Sequence, residues 1–140
     1  MRIAEINDET MSRFKAILIE SGFVAGARED DVLSFLGNRD NLVYMGAFVG
    51  EEIAGIVSLT FGRSSYRLSP FAWCDDLYVR ESYRRMGVGR RLVEKAVEIA
   101  REKECSNILL GVGQDREHVL SFYEALGFKD MKCNLMTLVL

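Results

Sequence analysis

Histidine occurs once in this chain of 140 residues, at His118, and cysteine three times, at Cys74, Cys105 and Cys133. A lone histidine and three cysteines without C-x-x-C spacing speak against a zinc site, and an odd, dispersed set speaks against a disulfide framework. No metal is therefore expected, and reduced thiols in a cytoplasmic protein are the simpler account. Proline is equally scarce, Pro70 being the only one. With no linker, internal repeat or low-complexity tract, residues 1–140 are expected to form a single domain. No run of about 18 apolar residues exists to cross a bilayer. The alternating start Arg2-Ile3-Ala4-Glu5-Ile6 lacks the basic and apolar regions of a secretory signal. No membrane partner is expected. Excess positive charge is missing too: the net charge of −3 argues against binding nucleic acid by phosphate neutralisation.

Against that acidic background five arginines, Arg80, Arg84, Arg85, Arg90 and Arg91, fall within a twelve-residue stretch. Arg84-Arg85-Met86-Gly87-Val88-Gly89-Arg90-Arg91 joins a strand-like run ending Leu77-Tyr78-Val79 to an amphipathic helix. A helix starting there offers unpaired N–H groups and the positive end of its dipole to an anion. Glycine at 87 and 89 lets the backbone approach a phosphate closely. The loop lacks the Lys-Ser/Thr pair of a nucleoside-triphosphate loop. It also lacks the third glycine of a dinucleotide fingerprint, Leu92 standing in its place. A small polyanion of another kind is implied, with arginine suited to its phosphates. The plain alternative is a solvated helix start whose arginines pair with Glu94 and Glu98.

Periodicity lays out the remaining elements. Residues 2–6 alternate as a strand, and Asn7 or Asp8 caps a helix with Met11, Phe14, Ile17 and Leu18 on one side. A second helix is predicted over 29–36, with Val32, Phe35 and Leu36 inward and Gly37-Asn38 as its stop. Apolar runs at 42–49 and 53–61 form a hairpin, residues 62–70 a longer turn, and 71–79 a third strand of that series. After the glycine loop Leu92, Val93, Ala96, Val97, Ile99 and Ala100 recur at helical spacing. A short strand at 107–112 completes a βαβ unit that should cross over right-handedly. A helix over 116–126 then ends at Gly127, with His118 in its solvated first turn, and strands at 128–131 and 134–140 close the chain.

The pattern Arg-x-x-Gly-x-Gly after a strand, and Phe122-Tyr123-Glu124-Ala125-Leu126-Gly127-Phe128 downstream, resemble the GNAT N-acetyltransferase superfamily over about residues 71–128. The N-terminal half agrees in element order. The resemblance implies an α/β (α+β) fold: a mixed, mostly antiparallel central sheet with helices on both faces, in the order β-α-α-β-β-β-α-β-α-β-β. It further implies acetyl-CoA as cosubstrate and transfer of acetyl to an amine of a small molecule or peptide in a ternary complex. By position, the N–H groups of Met86, Gly87, Val88, Gly89 and Arg90, with Arg84 and Arg85, receive the diphosphate. Leu77 and Val79 offer main-chain groups to the pantetheine, Leu77 as the oxyanion donor. Tyr123 is the implied acid for the departing thiolate. Arg116 departs from the family, many members of which carry Asn there.

Asp75 and Asp76, adjacent in a strand, should point to opposite faces, and Asp75 is favoured as the base. Tyr44, Trp73 and Tyr78 are candidate walls of an acceptor pocket, alongside residues 22–31 and 129–134. The resemblance also suggests a homodimer, across which residues 135–140 could pair. The competing class is a non-catalytic acyl-CoA sensor that keeps the loop and loses acid or base.

Overall fold

The computed structural model describes residues 1–37 and 39–140, and of Leu33 the main chain only. Its contacts divide into two compact units, Met1–Leu109 and Leu110–Leu140.

The first unit is built on a five-stranded sheet in sequence order. It comprises β1 (Arg2–Glu5), β2 (Leu42–Val49), β3 (Glu52–Ser64), β4 (Ser69–Val79) and β5 (Ile108–Leu109). Three neighbouring pairs are antiparallel. The last is parallel, matching Ala72 with Ile108 and Trp73 with Leu109. The long crossover between β4 and β5 makes it so, because parallel neighbours need an intervening element. Gly50, at φ 59°, turns β2 into β3.

Helices cover both faces. On one lie α1 (Met11–Glu20) and α2 (Glu29–Gly37). Phe14, Ile17 and Leu18 of α1, one face at i, i+3 and i+4, pack with Val32 and Leu36 of α2 onto Ile6, Tyr44, Ile53 and Ile56 of the sheet side. The capping residue of α1 is Thr10 rather than Asn7 or Asp8. Asn7 acts one turn earlier, its Oδ1 accepting the Thr10 N–H at 3.1 Å while Thr10 Oγ1 accepts the Asn7 N–H at 3.0 Å. Glu29, Asp30 and Asp31 occupy the first turn of α2, where a helix dipole favours negative charge. Phe35, expected inward, is 65% exposed because the inward stripe is set by Val32 and Leu36, four residues apart. The expected stop holds at Gly37, and Asn38 lies outside the described residues.

On the other face α3 (Val88–Glu102) buries Val88, Leu92, Val93, Ala96, Ile99 and Ala100. Its close approach depends on Gly55. A Cβ there would stand 2.9 Å from the Tyr78 carbonyl oxygen and 3.1 Å from both Leu92 and Val88 side chains. Gly55→Ala is expected to cost about 1–3 kcal/mol, the usual range for overpacking, and to loosen the first turn of α3. Chemical denaturation measures the first effect; amide exchange at Val88 and Gly89 measures the second.

The β3–β4 hairpin is longer than expected. Residues 62–64 and 69–70 join the ladder, Arg63 opposite Pro70, and the turn shrinks to 65–68 with Leu68 at φ 52°. Proline is tolerated at that strand end. Its carbonyl accepts the Ser106 N–H at 2.9 Å. By contrast β5 is two residues instead of six.

In the second unit α4 (Glu117–Glu124) is followed by a turn to Gly127 at φ 92°. The Phe128 N–H donates to the Tyr123 carbonyl at 3.1 Å, the closure that a glycine at C′ permits. The two closing strands are not formed. Residues 128–140 carry no strand, and Leu135, Met136, Leu138, Val139 and Leu140 are exposed. Alternation alone does not make a strand without a ladder partner, because the backbone groups must pair. The fold class nevertheless holds: an α+β chain with a mixed, mostly antiparallel sheet. No helix among the described residues is long and apolar enough to cross a membrane.

Candidate functional site

Three features meet at the C-terminal half of β4. The first is the turn into α3. After β4 the Arg80 N–H donates to the Ala54 carbonyl at 2.9 Å, and a short 3₁₀ turn, Glu81–Tyr83, leads to an extended Arg84. Arg85 and Gly87 then both take left-handed conformations, at φ 61° and 79°. Such residues turn successive N–H groups into an anion-binding concavity. Gly87 is the capping residue of α3, is exposed, and would present an added Cβ to open space. The Arg91 N–H closes the first helical turn onto Gly87. The N–H groups ahead of it have no intrahelical acceptor and sit at the positive end of the dipole. The arginines are partly engaged: Arg80 with Glu20 at 3.0 Å, Arg90 with Glu94 at 3.9 Å, and Arg84 Nε with the Val79 carbonyl at 3.0 Å. The cradle is thus built of main chain, with the guanidinium groups around it.

The second feature is an open edge. β4 has eleven residues, but among the described residues β5 pairs with Ala72 and Trp73 alone. Because the Arg80 N–H points to β3, main-chain alternation turns the groups of Val79 toward the other edge.

The third feature is a bulge. Ile56 pairs with Tyr78 and Ser58 with Asp75, so Val57 faces two residues, Asp76 and Leu77. Asp76 is left-handed, φ 53°, a conformation Asp tolerates better than most side chains. This overturns the expectation that the two aspartates diverge. Both bond on the Ser58 face of the sheet: Ser58 Oγ donates to Asp76 Oδ2 at 2.8 Å, and Trp73 Nε1 donates to Asp75 Oδ1 at 2.8 Å. Burial pushes the Asp75 carboxyl above its ordinary value, the neighbouring Asp76 charge adds to this, and hydrogen bonds from Trp73 and Thr60 oppose it. Burial likewise raises Asp76 against its bond from Ser58. Cys74, just before the pair, is buried, and its thiol is pushed up to about 12 by that burial and the two negative charges.

Asp76 also lines a cavity of about 330 Å³ between the α1–α2 side and the sheet. Val24, Ala27 and Asp31 contribute from the segment between and into the two helices, Val32, Phe35 and Leu36 from α2, Leu18 from α1 and Tyr44 from β2. Of the aromatic residues expected there, Tyr44 lines it, Trp73 holds Asp75, and the Tyr78 hydroxyl donates to Glu20 at 3.3 Å. Tyr44 is 3% exposed, and its hydroxyl has no hydrogen-bond partner among the described residues. Burial and the Asp76 charge raise its pKa. Ser58 and Thr60, which hold the acidic pair, went unnoticed in the sequence. Their signal was the register of β3 against β4, which no single strand reveals.

In the second unit Tyr123 is buried, its ring edge-on to Phe122 and Phe128 at centroid distances of 5.1 and 5.4 Å. His118 is exposed in the first turn of α4 as expected, with Arg116 capping that helix.

The sheet, its open fourth strand and the glycine-capped helix define an α+β domain of the N-acyltransferase fold. A family model described as the Acetyltransferase (GNAT) family matches residues 5–128, and the chain belongs to that family. It is 34% identical over 59 residues to the thialysine N-epsilon-acetyltransferase of Bos taurus, covering 42% of this chain and 35% of that one. It is 33% identical over 96 residues to the human N-alpha-acetyltransferase 30, covering 67% and 25%. The match thus spans a quarter to about a third of the length of these curated relatives. A solved structure of a probable acetyltransferase superposes with a TM-score of 0.87 at 26% identity, covering 100% of this chain and 98% of that one.

Proposed function

We propose that the chain is an acetyl-CoA-dependent N-acetyltransferase, one domain over residues 1–140, acting on a primary amine of a small molecule or peptide by direct attack in a ternary complex. The observation that carries this reading is the left-handed, exposed Gly87 at the cap of α3, beside an open strand edge and an acidic bulge. The residues fit the cosubstrate: N–H groups from Met86 to Arg90 receive its diphosphate, with Arg84 and Arg85 around them. Val79, whose carbonyl accepts from Arg84, and Leu77 face the pantetheine, and the Leu77 N–H donates to the charge that develops on the acetyl oxygen. The thioester supplies an activated acetyl group and a thiol leaving group.

The acidic pair takes the amine proton as the C–N bond forms, directly or through water. Asp76 reaches the cavity, and Asp75 lies beside it, held by Trp73. Tyr123 gives its proton to the thiolate as the C–S bond breaks, a role supported by its place in the Phe122–Phe128 motif. The relatives' names, one for an ε-amine and one for an α-amine, support an amine acceptor. A cytoplasmic homodimer is part of the same proposal.

Acetyl-CoA titration and turnover with a panel of amines test the reading. Saturable binding with turnover is expected, and Tyr123→Phe should lower kcat by about 100-fold with the acetyl-CoA dissociation constant unchanged. Tight binding without turnover on any acceptor would mean a sensor instead.

A further inference from the structure

We infer that the 330 Å³ cavity is an acceptor subsite selective for a primary amine on an uncharged hydrocarbon stem, its ammonium held between the Tyr44 hydroxyl and the Asp76 carboxylate, with no carboxylate beside the nitrogen. This deepens the acetyl-transfer reading and rests on it for the reaction, while the recognition chemistry stands on the cavity.

Tyr44 is the key observation. Its ring is packed against Phe14, centroids 4.9 Å apart, yet its buried hydroxyl lacks a partner. An unmet buried hydroxyl is costly, and a ligand donor entering the cavity gives its oxygen a partner. Asp76 supplies the second acceptor: its Oδ2 takes the Ser58 hydroxyl, one of about four acceptor positions on a carboxylate. An ammonium has three N–H donors and so can serve both. Apart from Asp31, the other lining residues are apolar, among them Leu18, Val24, Ala27, Val32 and Leu36. A hydrocarbon stem fits them, and a polyhydroxylated one leaves its hydroxyls unmet.

The exclusion of a carboxylate follows from charge. Among the described residues no lysine or arginine lines the cavity. Arg28 forms two bonds to the lining Asp31, at 2.8 and 2.9 Å, and Arg39, whose charge reaches Tyr44, bonds Asp8 at 2.7 Å and the Ile6 carbonyl at 3.3 Å. An amino acid would bring its carboxylate against Asp76 with no counter-charge. The volume, near the low end of the roughly 300–1,000 Å³ typical of small-molecule sites, suits a compact amine.

The test pairs 2-phenylethylamine with phenylalanine, and pentylamine with norleucine, each couple differing by one carboxylate. Binding to the full chain without acetyl-CoA is followed by NMR shifts of the Val24, Val32 and Leu36 methyls, and kcat/KM is measured with acetyl-CoA. The amines are expected to bind saturably and at least about 30-fold more tightly than the amino acids, and Tyr44→Phe to weaken amine binding about 10-fold with no loss of thermal stability. Equal binding of the amino acids, unchanged binding in Tyr44→Phe, or no saturable shift with either amine overturns the inference. Amine binding without turnover leaves the subsite standing and removes acetyl transfer. Turnover preferring phenylalanine does the reverse.

Discussion

Gly87→Val is expected to weaken acetyl-CoA binding by about 100-fold while lowering stability far less. A left-handed backbone costs an L-residue roughly 1–2 kcal/mol, so the φ of 79° at this position sets the scale of the stability loss. Nothing among the described residues lies within 4 Å of the added Cβ, so no clash enlarges it. The larger effect falls on the ligand. A branched side chain occupies the approach of the diphosphate, and relief of the backbone strain turns the N–H groups away. Charge-assisted hydrogen bonds are each worth about 1.5–3 kcal/mol, so losing the alignment of one or two accounts for the expected factor. Isothermal titration with acetyl-CoA and a thermal melt separate the two contributions. A drop in Tm with an unaltered dissociation constant would remove this turn from the site.

Asp76→Asn is expected to lower kcat/KM by about 100- to 1,000-fold and to raise Tm at neutral pH. Both effects come from one shift. Burial raises the Asp76 pKa, so the folded chain holds this proton more tightly than the unfolded chain does. The stability it contributes is complete below the unfolded pKa and is lost as pH rises through the folded one. Wherever it is ionised, the carboxylate is therefore a burden on the fold. Asparagine lifts it while keeping an acceptor for the Ser58 hydroxyl. The gain should vanish in acid, where wild type is protonated.

Wild-type kcat/KM should rise with pH along a limb above the ordinary carboxylate range. That limb belongs to the pair, since Asp76 also raises Asp75. The groups facing it are Ser58 and Thr60 of β3, Trp73 of β4, Tyr44 of β2 and Asp31 of α2. Full activity in Asp76→Asn on the amine panel, or no change in Tm at pH 7, would dismiss this assignment.

What the sequence disclosed depended on the range of the interactions involved. α3 was plain because its buried face, Leu92 to Ala100, repeats every third or fourth residue and needs no knowledge of its partners. Gly87 was plain because a positive φ at a helix cap selects glycine locally. The bulge at Asp76 was not, because it exists only in the register of β4 against β3: Val57 faces two residues where alternation allows one. The same register brought Ser58 and Thr60 to the acidic pair. The cavity was half visible. The segment at 22–31 and Tyr44 were anticipated, but their meeting with Asp76 joins three stretches far apart in sequence. The missing strands at 128–131 and 134–140 mark the opposite error, a local pattern read as structure without a partner to pair it.

The thiol of Cys74 lies one residue from the acidic pair, and burial with two adjacent charges keeps it protonated at any physiological pH. A protonated, enclosed sulfur is a poor nucleophile. The strand therefore offers no sulfur on which an acetyl group could wait between one visitor and the next, which is what the proposed meeting of donor and recipient in one complex requires of it.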